Sequence, residues 1–284
     1  MSPRTSPPTG LPAAAPGAWP LPPALRASIG VHAAAIGAAA LLPGAWPWAL
    51  GALVANHALI TAAGLTPRSS LLGRNLTRLP RAAAERGEVA LTIDDGPDAE
   101  VTPRVLDLLD AAGSRATFFC IAQRAAAQPA LAREIVARGH SIQNHTAKHR
   151  HDFSLLGPRG FEAEIARAQA LLHEITGELP TCFRAPAGLR NPFLDPVLHR
   201  LGLSLVSWTR RGFDTRERDP ATVLARLGRG LAAGDILLLH DGNAARTAQG
   251  RPVLLDVLPP LLDRIEAAGL RTVTLPAALN GDRA

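Results

Sequence analysis

Val89-Ala-Leu-Thr-Ile-Asp-Asp-Gly-Pro97 is the stretch on which the fold turns. Val89–Ile93 is apolar and β-branched and reads as a buried strand. Gly96 and Pro97 then bend the chain sharply, so Asp94 and Asp95 crowd one rim at the strand's end. Two adjacent carboxylates repel unless something positive separates their roles. A metal on one and an arginine near the other would do so, although the motif alone is also the composition of an ordinary turn.

Downstream, the same texture repeats. Strands are predicted at Ala116–Ile121, Ser141–Asn144, Thr181–Arg184, Ser204–Trp208, Asp235–His240 and Arg271–Leu275. Helices are predicted at Pro103–Ala112, Pro129–Arg138, Gly160–Thr176, Pro192–Leu201, Pro220–Ala233 and Val253–Ala268, with prolines at first-turn positions and glycines beyond the ends. Alternating β and α implies an α/β fold with a mostly parallel sheet covered by helices. About seven strands in this length suggest an open or distorted (β/α) barrel rather than a full eightfold one.

Polar residues sit where the strands run out, which is where parallel β/α folds carry their sites. In His145-Thr-Ala-Lys-His149 a spacing of four predicts both imidazoles on one face of a helical turn. Two histidines and a carboxylate make a three-ligand set with open positions for water. Arg184 ends a strand and could reach a carboxylate or form an ordinary salt bridge. Asp214 follows Phe213. His240 stands at the mouth of the apolar run Ile236–Leu239; such a histidine is structural in most settings, and only its company at the other strand ends argues otherwise. His140 and His151 are out of phase and read as structural or surface residues. Cys120 and Cys182, too few for a disulfide framework, read as small core hydrophobes. Arg210 and Arg211 could reach a phosphate or carboxylate, or be solvated.

The chain upstream is different. Residues 1–27 are Pro/Ala-rich without periodicity and read as a disordered tail. Two uncharged apolar runs, 28–42 and one ending at Leu65, are separated by Pro43-Gly-Ala-Trp-Pro-Trp48. Each is near the lower length limit for a membrane span, and Trp46 and Trp48 fit an interface. Residues 28–65 thus read as a transmembrane helical hairpin or anchor. A signal peptide, a single anchor or two soluble helices fit the same residues. His32, Asn56 and His57 within the runs read as structural. Residues 66–87 read as an Arg-rich linker. The positive-inside tendency keeps that linker cytoplasmic, so a hairpin leaves the C-terminal domain facing the cytoplasm; a signal or single anchor puts it outside.

Composition narrows the classes. Hydrophobic residues are 47% of the 284, enough for a core, and the net charge is +6. Residues 1–84 hold six arginines and no acid, leaving 24 basic against 24 acidic residues beyond them. The remainder is neutral, with no basic face calling for nucleic acid. No obligate protein partner is evident.

In order, Thr92-Ile-Asp-Asp-Gly-Pro97, Asn144-His-Thr-x-x-His149, Arg184-Ala-Pro-x-Gly188, Trp208…Asp214 and Leu238-Leu-His240 resemble the polysaccharide deacetylases of carbohydrate esterase family four, the NodB-like domain; Ala116-Thr-Phe-Phe119 is similar to its second strand. The resemblance spans about residues 88–278. It implies Asp94 as catalytic base and Asp95, His145 and His149 as ligands of a divalent metal, zinc first, with cobalt, nickel or manganese as alternatives. It further implies Arg184 holding the base, His240 as general acid with Asp214 as partner, and the backbone N–H of Ala187 for the oxyanion. The implied activity is removal of N-acetyl or other N-acyl groups from amino sugars of a polysaccharide or lipid-linked glycan, at a bacterial inner membrane if the hairpin reading holds. A catalytically inactive glycan-recognition module or a deformylase of a lipid-linked amino sugar would share the ligands. Two departures stand out. Ala187 replaces a common aromatic, and Thr209-Arg-Arg-Gly-Phe-Asp-Thr215 has a single Asp and no following Trp.

Overall fold

In the computed structural model, which describes residues 17–280, the first elements are helices α1 (Pro23–Leu41) and α2 (Trp46–Gly64). They form a hairpin joined by a turn in which Ala45 N donates to Leu42 O at 2.8 Å. Residues 1–16 of the expected disordered tail lie outside the described residues. Its end is corrected: Pro23 opens α1, because a proline in the first turn needs no intrahelical partner for its nitrogen. The polar residues of the hairpin meet one another. Asn56 Nδ2 donates to Ser28 Oγ at 2.8 Å, and His32 Nε2 lies 3.2 Å from His57 Nε2. Ile36, Leu41, Leu42, Trp46, Trp48 and Val54 are each at least 61% exposed. Among the described helices, α1 alone is long and apolar enough to cross a membrane by length and composition, a property shared with signal sequences.

Residues 66–87, expected as a linker, are built into the globular part. Leu72 and Ala83 are wholly buried. Leu76 N donates to Leu205 O at 2.9 Å, Ser207 N donates to Leu76 O at 2.8 Å, and Leu79 N donates to Gly234 O at 2.8 Å. Five arginines, Arg68, Arg74, Arg78, Arg81 and Arg86, mask this apolar content in the sequence.

After α3 (Arg81–Glu85) the alternation runs β1 (Glu88–Asp94), α4 (Thr102–Ala111), β2 (Ala116–Cys120), α5 (Ala122–Ala127), α6 (Pro129–Ala137), β3 (Ser141–Asn144), α7 (Pro158–Thr176), β4 (Cys182–Phe183), α8 (Leu194–Arg200), β5 (Ser204–Leu205), β6 (Arg210–Arg211), α9 (Pro220–Gly228), β7 (Ile236–His240), α10 (Val253–Ala267), β8 (Arg271–Thr272) and α11 (Leu275–Asn280). Helix ends follow local chemistry. Asp219 caps α9 by accepting from Ala221 and Thr222 N–H, and Gly177 closes α7 in the left-handed region.

The sheet order is β5-β4-β3-β2-β1-β7-β6, parallel throughout, with β8 pairing the start of β1. This is the open, distorted barrel expected. The opening between β5 and β6 is lined by residues 76–79, with Thr209 Oγ1 donating to Thr77 O at 2.6 Å. One expectation is corrected: Ser204–Trp208 is not a single strand. β5 stops at Leu205, and a separate β6 pairs Arg210 and Arg211 with Leu237 and Leu238 of β7.

Strand alternation separates two cores. Val89, Leu91, Ile93, Phe118, Leu237 and Leu239 face the helices. Ala90, Phe119, Cys182, Ile236 and Leu238 face the barrel interior. Cys120 and Cys182 are buried and free. The same alternation carries Thr92 and Asp94 onto the interior face after Ala90, and His240 after Leu238.

Candidate active site

Arg184 enters the interior one residue after β4 and is 1% exposed. Its guanidinium donates to Asp94 Oδ1 at 2.6 Å, Thr92 Oγ1 at 2.9 Å, Ser207 O at 2.9 Å and Val206 O at 3.2 Å, and lies 4.1 Å from the Phe119 ring centroid. Burial pushes its pKa down, and the Asp94 charge opposes that. Asp94 therefore has one oxygen fixed by a charge-assisted bond and the other turned toward His145, 3.9 Å away.

Asp95 points differently because its backbone is left-handed, at φ 74°. Its Oδ1 lies 3.3 Å from Nε2 of both His145 and His149, and its Oδ2 accepts from Asn243 Nδ2 at 3.0 Å. Burial raises the Asp95 carboxyl, but the imidazoles beside it, His145 foremost, outweigh this and hold it well below the usual carboxylate range. The helical turn expected over 145–149 is absent. Thr146 and His149 take φ of 70° and 53°, fixed by Thr146 N donating to Asn144 Oδ1 and His149 N to Thr146 Oγ1. The ring centroids still stand 4.8 Å apart, so an irregular turn achieves what the spacing alone suggested a helix would.

The three donors fit a cation. Ligand atoms of Asp95, His145 and His149 lie within 4.8 Å of one another. His145 Nδ1 lies 2.8 Å from Arg184 O. That carbonyl can only accept, so Nδ1 carries the proton and, in the neutral ring, Nε2 presents its lone pair. Asp95 Oδ1 is buried with no hydrogen-bond partner. Without a metal, burial disfavours charge on His145, but Asp94 and Asp95 raise its pKa, whereas burial lowers that of His149. A proton or a metal ion must fill the space between these groups, and two imidazoles with one carboxylate suit a divalent ion.

Across the mouth, His240 Nδ1 lies 2.9 Å from Asp214 Oδ1, and His240 N donates to Asp214 Oδ2 at 2.7 Å. Burial works against the imidazolium, but the Asp214 charge carries His240 to about 9. Ala187 sits exposed in a left-handed turn, φ 54°. A side chain on the following Gly188 would collide with Pro67 and Trp208, so this turn is packed against the first residues after the hairpin.

Asp94, Asp95, His145, His149, Arg184, His240 and Asp214 thus converge on one rim, and Ala187 follows Arg184 by three residues. Reading the sequence missed Asn243, Arg124 and Asp241. Arg124 donates to Asp95 O at 2.9 Å and Asn243 Oδ1 at 3.1 Å. Asp241, pushed up to about 7 by burial, accepts from Thr102 Oγ1 at 2.5 Å and fills the space where a Cβ on Gly96 would go. The Asp241-Gly242 pair after His240 was a visible cue; Asn243 and Arg124 carried none. His140 is structural, as expected: its Nδ1 accepts from Ala116 N at 3.2 Å. Among the described residues, the six non-glycine residues with positive φ are Asp95, Thr146, His149, Ala187, Phe213 and Asn243, and Asp95, Thr146, His149 and Asn243 belong to this cluster. Such strain persists only where surroundings over-determine it.

The polysaccharide deacetylase family profile matches residues 81–206. The chain is 33% identical over 193 residues to a peptidoglycan-N-acetylglucosamine deacetylase of Bacillus cereus, covering 67% of this chain and 87% of that one. It is 33% identical over 199 residues to a chitooligosaccharide deacetylase of Sinorhizobium fredii, covering 66% and 92%. The fold is similar to that of a family 4 acetyl xylan esterase from Clostridium thermocellum in complex with a cobalt ion, at TM-score 0.61 and 29% identity over 68% of this chain and 90% of that chain.

Proposed function

The chain belongs to the polysaccharide deacetylase family, the NodB-like carbohydrate esterases of family four, and on that premise we propose that it hydrolyses the N-acetyl group of an amino sugar in a glycan, using a divalent metal held by Asp95, His145 and His149. The carrying observation is the division of labour between adjacent carboxylates: Asp95 Oδ1 faces two imidazole nitrogens at 3.3 Å, while Asp94 Oδ1 is fixed by Arg184 at 2.6 Å.

When bound, the metal supplies Lewis acidity toward the amide carbonyl and the attacking water. Zinc suits the ligand set, with cobalt, nickel and manganese as alternatives. Asp94, oriented by the Arg184 guanidinium at 2.6 Å, takes the proton from water as it attacks. The backbone N–H of Ala187 donates to the developing oxyanion. His240, protonated at neutral pH and oriented by Asp214, delivers its proton to the departing amine. The products are a free amino sugar and acetate.

For the setting, α1 supports a bacterial inner-membrane location. The base of the hairpin adjoins the mouth, since Arg190 N donates to Gly64 O at 3.1 Å and Pro67 packs beside Gly188. A lipid-linked glycan met at the cytoplasmic membrane surface fits that arrangement. Acetate release from N-acetylated chitooligosaccharides, peptidoglycan fragments and a lipid-linked N-acetylglucosamine, with added Zn²⁺ or Co²⁺, tests the activity. No release from any of them by metal-loaded protein sinks it. A reporter fused after the C-terminus tests the side, and a periplasmic signal rules out the cytoplasmic orientation.

A further inference from the structure

The β6–β7 register separates two arginines that look alike in sequence. Arg210 pairs with Leu237, whose side chain faces the helices, and its guanidinium is consumed by Asp235 and the carbonyls of Arg229 and Gly230. Arg211 pairs with Leu238, whose side chain faces the barrel interior two residues before His240. Its guanidinium carbon lies 5.2 Å from the Trp208 ring and 5.0 Å from the Phe213 ring. Its Nε is buried without a hydrogen-bond partner. Among the described residues the Arg211 side chain has no hydrogen bond or ion pair, yet it is near enough to the site for Asp214, Asp94 and Asp95 to act on its charge.

An arginine held between two aromatic faces, with its donor fork unspent, is pre-organised for an oxyanion. A surface arginine would turn its head into water, and a structural one would use its donors as Arg210 does. Phe213, 48% exposed and itself left-handed, holds the outer side of this clamp. We propose that Arg211 is a specificity-determining residue that binds an anionic group, phosphate or carboxylate, on the amino-sugar substrate. The site then prefers anionic amino sugars to neutral ones. This rests on the hydrolase reading above and narrows its substrate class.

The test measures binding to the zinc-loaded full chain of glucosamine, glucosamine 1-phosphate and muramic acid, none of which carries an acyl group to be hydrolysed. At least one anionic sugar should bind tenfold or more tighter than glucosamine, and which one identifies the anion. Arg211→Gln should bring that ratio close to one. Arg226→Gln, which removes a guanidinium over the same Phe213 ring but paired with Glu217, should keep it. The ratio is taken within one preparation, so loss of folded protein lowers both arms alike. Equal binding of all three sugars by the wild type overturns the inference. So does a preference that survives Arg211→Gln, which would mean the zinc ion captures the anion, or one that falls equally in both variants. Acetate release from the corresponding N-acetyl sugars separates the two readings: turnover without anion preference removes the role of Arg211 alone, and anion preference without turnover removes the hydrolase reading alone.

Discussion

Arg184 and Asp94 form a buried ion pair at 2.6 Å, with side chains 1% and 4% exposed, between residues ninety positions apart. The same guanidinium binds the carbonyls of Val206 and Ser207. Ser207 Oγ in turn donates to Pro67 O at 2.7 Å, so Asp94 is braced, through Arg184, by the segment that follows the hairpin.

Arg184→Met should therefore cost more than a surface pair. Removing one partner of a buried pair leaves the other charge uncompensated, typically about 3–5 kcal/mol. Denaturant unfolding should show a loss of that order. A loss below about 1 kcal/mol, the range of exposed pairs, would contradict the buried-pair description.

The adjacent carboxylates should separate by experiment. Asp94→Asn should keep zinc near one per chain and lower turnover by roughly 10²–10⁴-fold, the usual weight of a general base. His145→Ala and Asp95→Asn should lose zinc, read by elemental analysis. Chelation of the wild type should lower the melting temperature, because an ion that binds only the folded state stabilises it.

The His240–Asp214 pair makes a pH prediction. In the metal-free protein His240 titrates near 9, against about 6.5 for an ordinary histidine. The folded value is raised, so its contribution to stability is complete below about pH 6.5 and is lost as pH climbs through 9. Asp214→Asn removes the largest of the charges that oppose burial, those of Asp94 and Asp95 remaining, and the His240 midpoint should fall. NMR titration of the imidazole checks both; a midpoint unchanged by Asp214→Asn would break the assignment of Asp214 as its partner.

Gly96→Ala should disable the site from beneath. A Cβ there would stand 2.2 Å from the Asp241 carboxylate, so the turn carrying both aspartates must shift. Zinc content and acetate release should fall together, whereas Gly113→Ala, with nothing within 4 Å, should spare both despite its positive φ.

Truncation distinguishes linker from structural segment. A chain beginning at Arg81, where the family match starts, loses the bonds of Leu76, Thr77 and Leu79 to the barrel opening. It should melt well below one beginning at Leu65. Equal melting temperatures would mean residues 66–80 are dispensable.

Local pattern carried the barrel, the interior-facing polar residues and the order of the five motifs, because strand period and strand-end placement are properties of short windows. It also named Asp94, Asp95, His145, His149, Arg184, Asp214 and His240, which the structure brings together. What it mistook had one local cause and two distant ones. The 145–149 turn looked helical by spacing, but Asn144 and Thr146 bond its backbone into left-handed conformations. Residues 66–87 looked like a linker because the apolar gap they fill exists only once β5 and β6 are placed. Asn243 and Arg124 had no motif, since their partner Asp95 lies 148 and 29 residues away.

The sequence by itself determined which residues could do chemistry: two carboxylates at one strand end, two histidines four apart, and an arginine and a histidine on other strands. Only the tertiary structure decided what each faces. Parallel register puts Arg211 on the interior face and Arg210 outside, although neighbouring arginines are chemically identical. Left-handed backbone at Asp95 turns it away from Asp94. Such choices are made by steric packing and hydrogen bonds between segments far apart in the chain, and no window of sequence contains both partners.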